Sequence, residues 1–227
     1  MSVIDRDFEN YINSILNPFT GRLGELQETA YTEGFPVIKN ATARFLATII
    51  ALKRPEKILE IGCCIGFSAS LMSEFMAGGG HITTIDRYDI MIDRAKQTFK
   101  EMELEKKITL LEGDALEILS EMDEKFDLIF MDAAKGQYIQ FLPHCVRMLN
   151  KGGALIADDI FQNGYIAMER QDIPRRQRTT YTRMRRFLYS ALNSEGLVST
   201  IIPVDDGLLL STKTADEVIL KELDYDE

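Results

Sequence analysis

The sequence predicts an α/β fold: a mostly parallel sheet, closed by an antiparallel pair, with helices on both faces. Three observations predict it. Short apolar runs alternate with helical stretches from residue 57 onward. Such strand–helix repeats imply a parallel sheet. Each of the first five runs is followed at once by glycine or an acid. The last two runs instead flank Asp205-Asp206, which reads as a hairpin.

Taken in order, residues 5–16 carry Phe8, Ile12, Ile15 and Leu16 at helical spacing. A second helix covers Gly21–Thr32, and a third runs from Asn40, a residue suited to an N-cap, to Leu52. The predicted strands are Lys57–Ile61, His81–Ile85, Lys107–Leu111, Phe126–Met131 and Ala154–Ala157. Helices Phe67–Met76, Asp89–Met102, Ala115–Met122 and Gly136–Leu149 lie between them. Arg175–Leu192 reads as one long helix, and Leu197–Val204 with Gly207–Lys213 forms the hairpin. The 227 residues suit a single domain, with N-terminal helices over 1–52 and a core over 57–213.

Composition narrows the chemistry. No apolar run is long enough to span a bilayer, and the acidic start lacks a signal-peptide pattern, so a cytoplasmic protein with no membrane partner is expected. Cys63, Cys64 and Cys145 form no CxxC pair, which argues against zinc and for reduced thiols. With only two histidines, catalysis must rest on carboxylates, lysine or a bound metal. The net charge of −10 argues against nucleic acid, but the distribution is uneven. Seven arginines and one acid between Arg170 and Arg186 give that window a charge of +6.

Ligands of open α/β sheets bind beyond the carboxyl ends of the strands. Gly62 and Gly66 let the backbone turn there and approach a ligand, and the helix that follows offers N–H groups to a carboxylate. Asp86, at the end of the second strand, can accept ribose hydroxyl protons, and Gly113-Asp114-Ala115 can flank an adenine. The GxxxG spacing departs from the dinucleotide fingerprint GxGxxG, which disfavours nicotinamide binding. The glycines could otherwise only terminate strands, but Glu60, Asp86 and Asp114 at successive strand ends favour a ligand.

Asp132 ends the fourth strand and Asp158-Asp159 the fifth. Three carboxylates that close repel one another, a conflict that a hard divalent cation removes. Capping of a loop is the plainer reading of Asp158-Asp159. Lys135, beside a cation, would have a lowered pKa and could accept a proton; a solvated loop lysine is the plainer alternative.

The segments EIGCCIGFS (60–68), HITTID (81–86), LEGDA (111–115), IFMDAAKGQY (129–138) and LIADD (155–159) match, in order and spacing, a known family. Residues 35 to 213 resemble the cation-dependent class I O-methyltransferases, which include the catechol and caffeoyl-CoA enzymes. The resemblance implies a Rossmann-like seven-stranded sheet, S-adenosylmethionine as cofactor, magnesium or another divalent cation such as manganese or calcium, and a homodimer. It implies that Ile38, Gly62, Ser68, Asp86 and Ala115 line the cofactor site, to which the strand-end acids Glu60 and Asp114 are added, that Asp132 serves both cofactor and metal, and that Asp158 and Asp159 complete the ligands. Lys135 matches the general base of the catechol enzymes. Two departures stand out: Asp159 where the family usually has asparagine, and Thr200 near the position of the catechol enzymes' substrate-binding glutamate.

Ile173-Pro-Arg-Arg-Gln-Arg-Thr179 is similar to a segment of bacterial tRNA 5-hydroxyuridine methyltransferases. This implies a wobble uridine hydroxyl as substrate and 5-methoxyuridine as product, with Arg175, Arg176 and Arg178 holding anticodon phosphates. Arginine suits phosphate and unpaired bases. A surface helix making ion pairs is the plainer reading. The alternatives are a methyltransferase of small catechols or hydroxycinnamoyl compounds, and a noncatalytic cofactor- or RNA-binding protein.

Overall fold

A computed structural model describes residues 6–223, so Asp5 of the first predicted helix lies outside it. The strands are β1 (Lys57–Ile61), β2 (His81–Asp86), β3 (Ile108–Glu112), β4 (Phe126–Met131), β5 (Leu149–Ala157), β6 (Leu197–Ile202) and β7 (Leu208–Lys213). They form a seven-stranded sheet in the order β3-β2-β1-β4-β5-β7-β6. This is the expected class, parallel except for a C-terminal antiparallel hairpin. The chain divides into two compact units, with the boundary at Ile118/Leu119.

The first unit holds α1 (Arg6–Ile15), α2 (Gly21–Glu33), α3 (Asn40–Lys53), α4 (Phe67–Phe75) and α5 (Asp89–Glu101). β1 pairs with β2, and β2 with β3, all parallel. In β1, Ile58, Leu59 and Ile61 are fully buried. Such near-continuous apolar strands are what a parallel sheet covered on both faces requires. Each such side chain contributes about 1.5–3 kcal/mol by leaving water. Asn40 is not the N-cap of α3: Lys39 takes that position, and the Asn40 Oδ1 is buried without a partner.

The second unit begins within α6 (Ala115–Glu121), at Leu119, and holds α7 (Tyr138–Met148) and α8 (Arg178–Asn193). β4 pairs parallel with β5, and β5 and β6 each pair antiparallel with β7. β5 begins at Leu149 rather than Ala154, because Asn150–Gly153 continue the strand through an irregularity in its register with β4. The long predicted helix begins as a separate 3-10 turn, Arg175–Gln177. The hairpin strands stop short of their predicted ends, at Ile202 rather than Val204 and at Leu208 rather than Gly207, and the connection between them has Asp205 and Gly207 both at positive φ (50° and 82°). A side chain at position 207 would also meet the Phe161 ring at 2.4 Å, so glycine is required there.

Candidate active site

In the first unit, the chain leaves β1 at Ile61 and turns through Gly62–Gly66 into α4. Gly66 caps α4 in the left-handed region (φ 83°), and a Cβ there would lie 2.7 Å from the Phe99 ring. Glycine is therefore dictated twice, by dihedral and by space.

Asp86 organises this turn. Its Oδ2 accepts the N–H groups of Cys63 and Cys64 at 3.1 and 2.9 Å. Its Oδ1 accepts those of Arg87 and Tyr88 at 2.7 and 3.0 Å. The expected ribose acceptor is thus already engaged by four backbone donors, which fix the glycine turn against the end of β2. A neighbouring pair continues the rim: Arg87 Nη1 donates to Asp114 Oδ2 at 3.1 Å, and Asp114 Oδ1 accepts the Leu116 N–H at 2.9 Å, closing the start of α6.

Glu60 is fully buried, and its two carboxylate oxygens accept hydrogen bonds from Ser68 Oγ and Thr84 Oγ1. Glu60 and Ser68 are therefore brought together. Burial, reinforced by the Glu60 charge, pushes the Cys63 thiol well above its ordinary range, so it is no nucleophile. Ile38 is buried just before α3, where its carbonyl accepts the Tyr31 hydroxyl at 3.4 Å. Ala115 is half-buried at the first position of α6.

In the second unit, Asp132 follows β4 and Asp158-Asp159 follows β5, joined by the Asp158 N–H donating to the Met131 carbonyl at 3.0 Å. Lys135 opens a 3-10 turn, and its Nζ lies 2.6 Å from Asp132 Oδ1 and 3.2 Å from Asp159 Oδ2. Asp159 adopts φ 56°, a left-handed conformation that aspartate and asparagine tolerate. Asp158 is 4% exposed, and its Oδ1 accepts the Asp159 N–H at 2.7 Å.

One ammonium therefore stands among three carboxylates. Burial, then the charges of Asp132 and Asp159, holds the Asp158 carboxyl well above the ordinary range. Burial alone would lower Lys135, but Asp132, Tyr138 and Asp159 outweigh it and raise the ammonium well above its usual range. As it stands Lys135 holds its proton, unlike a lysine facing a cation. Among the described residues no group of three His, Cys, Asp or Glu side chains is assembled for a metal. Asp132 and Asp159 instead share the lysine. The donor set still fits a hard cation: all oxygen, excess negative charge, and two carboxylates already converging on one positive centre.

The arginine window divides. Arg175 and Arg176 are exposed on their 3-10 turn. Arg178 is not presented in the same way: Nε donates to the Ile173 carbonyl at 2.9 Å and Nη2 to that of Gln171 at 2.8 Å. Its guanidinium binds its own loop. Arg183 Nη1 donates to the Gly136 carbonyl at 3.2 Å, linking α8 to the Lys135 turn. Sequence reasoning missed Tyr138, whose buried hydroxyl reaches the Met131 and Asp158 carbonyls; the only signal was its place at the end of IFMDAAKGQY.

The profile of the O-methyltransferase family matches residues 20–214. Among curated relatives, the O-methyltransferase ankF of Aspergillus thermomutatus is 35% identical over 119 residues, 51% of this chain and 50% of that one. A catechol O-methyltransferase of Niastella koreensis is 24% identical over 172 residues, 73% of this chain and 78% of its own. Among solved structures, a candidate caffeoyl-CoA O-methyltransferase from Staphylococcus aureus superposes with a TM-score of 0.83 at 26% identity, covering 91% of this chain and 99% of that one. No helix among the described residues is long and apolar enough to cross a membrane.

Proposed function

The chain belongs to the O-methyltransferase family, and from that premise we propose that it moves the methyl group of S-adenosylmethionine to a cation-assisted hydroxyl, that of 5-hydroxyuridine at the tRNA wobble position. The observation that carries the reading is the Asp132–Lys135–Asp158–Asp159 cluster, three carboxylates and one ammonium at two strand ends. Support for the methyl donor comes from TomG of Streptomyces achromogenes, whose similar structure contains the cofactor.

When bound, S-adenosylmethionine supplies a methyl already activated as a sulfonium, and a divalent cation held by Asp132, Asp158 and Asp159 supplies Lewis acidity to the acceptor hydroxyl. The chain's own residues do the rest. Asp86 fixes the glycine turn, so the cofactor meets a preset backbone rather than one it must order. A ribose hydroxyl would join the four donors already on that carboxylate. Glu60, held by Ser68 and Thr84, places a buried negative charge beside the same turn. Lys135 holds a proton at Nζ while Asp132 and Asp159 face it, and any cation that takes those carboxylates removes what keeps the proton there.

Arg175 and Arg176 favour RNA over a small phenol, because both are exposed within a +6 window of an otherwise acidic chain. Thr200, near the position where the catechol enzymes carry glutamate, points the same way. Reversing both arginines (Arg175→Glu with Arg176→Glu) is expected to cut methylation of hydroxyuridine-containing tRNA at least about tenfold and to flatten its salt dependence, since fewer phosphate counterions are released. Cofactor affinity stays unchanged. The similarity to a catechol O-methyltransferase favours a second reading, a small phenolic substrate. Undiminished tRNA methylation by the double variant, or good turnover of catechols with none of tRNA, replaces the first reading with the second.

A further inference from the structure

Tyr138 is the first residue of α7 and is fully buried. Its hydroxyl lies 3.0 Å from the Met131 carbonyl and 3.2 Å from the Asp158 carbonyl. A phenol has one proton, so it shares that proton between the two oxygens. Both belong to the carboxylate cluster: Met131 immediately precedes Asp132, and Asp158 carries a cluster carboxylate itself. The Met131 carbonyl also accepts the Asp158 N–H at 3.0 Å, so the hydroxyl closes a small bonded ring across the ends of β4 and β5.

The aromatic ring has a separate task. Lys135 Nζ lies 5.6 Å from its centroid, within cation–π range. Phe187 of α8 packs edge-on to it at 5.4 Å. Burial drives the phenol's pKa well above its ordinary value, so the group stays a hydrogen-bond donor and takes no part as an acid. Phenylalanine would fill the same core volume and keep both ring contacts. The hydroxyl is therefore not explained by packing; its two acceptors are strand-end carbonyls beside Asp132 and at Asp158.

We propose that Tyr138 is a positioning residue whose hydroxyl sets the separation of Asp132 and Asp158 and whose ring holds Lys135 beside them. The proposal rests on the reading of this cluster as the site of methyl transfer. It assigns the hydroxyl to function and the ring to the core.

Tyr138→Phe in the full chain separates the two. Mn2+ affinity is measured by electron paramagnetic resonance without methyl donor, and kcat and KM on hydroxyuridine-containing tRNA. The expected result is a melting temperature near that of the wild type, Mn2+ binding weakened about tenfold, and a lower kcat with the KM for S-adenosylmethionine unchanged, the scale of one or two lost hydrogen bonds. Unchanged Mn2+ affinity overturns the proposal. So does a variant that fails to fold, because the hydroxyl would then be structural. A wild type that binds no Mn2+ contradicts the cation reading alone. The kinetics then decide: a fall in kcat at constant KM upholds the positioning of Asp132 and Lys135, and an unchanged kcat overturns it.

Discussion

Asp158 shows what the cluster costs the fold. Its carboxylate is 4% exposed and faces Asp132 and Asp159. Because its folded pKa is raised above the unfolded value of about 3.9, the stability linked to it is full below that pH. That stability is lost as pH rises through the folded pKa. Asn keeps an oxygen for the Asp159 N–H and carries no charge. Asp158→Asn is therefore expected to melt higher than the wild type at neutral pH in chelator, with the gap closing near about pH 4, while methyl transfer is lost. Thermal melts across that range check it; a variant that melts lower at neutral pH would mean the carboxylate is already neutralised within the folded chain. The sequence disclosed Asp132, Asp158 and Asp159 because acids directly after apolar strands are conspicuous. It could not disclose that Lys135 would take the place expected for a cation, since ion-pair partners depend on side-chain reach. Tyr138 was hidden for a different reason: an aromatic at helical spacing reads as core, which its ring is.

At the level of elements, the strands were legible and their junctions less so. Lys57–Ile61 and Phe126–Met131 were read with the observed bounds because buried parallel strands are short, continuous apolar runs. The start of β5 differs because Asn150-Lys151-Gly152-Gly153 has turn chemistry and forms the irregularity between the Phe126–Leu149 and Leu128–Ala154 partners. The arginine segment was read as one helix, where a 3-10 turn precedes α8 and gives neighbouring arginines different tasks. Arg178 ties Ile173 and Gln171, whereas Arg175 projects from the turn. Arg178→Ala is accordingly expected to destabilise the protein by about 1 kcal/mol, the scale of a lost hydrogen bond pair at a half-buried site. Arg175→Ala should leave stability unchanged. Denaturant melts of the two variants decide, and equal stabilities would remove the structural role given to Arg178.

For the whole molecule, charge and topology carry separate messages. The parallel sheet with its antiparallel end follows from alternating strand and helix runs and was legible from them, whereas the order β3-β2-β1-β4-β5-β7-β6 is set by which strands pair. The net charge of −10 says little of partners, because it conceals the basic window that Arg170 to Arg186 form. What topology cannot supply is the acceptor, since one fold serves many substrates and only the site selects among them. The central claim is thus chemical: hydroxyl methylation that depends on Asp132, Asp158 and Asp159 acting with a divalent cation. The most direct measurement follows transfer of radiolabelled methyl from S-adenosylmethionine to hydroxyuridine-containing tRNA, first in excess chelator and then after Mg2+ is restored. The account predicts that incorporation falls to background in chelator and returns with the cation. Full incorporation in excess chelator would contradict it.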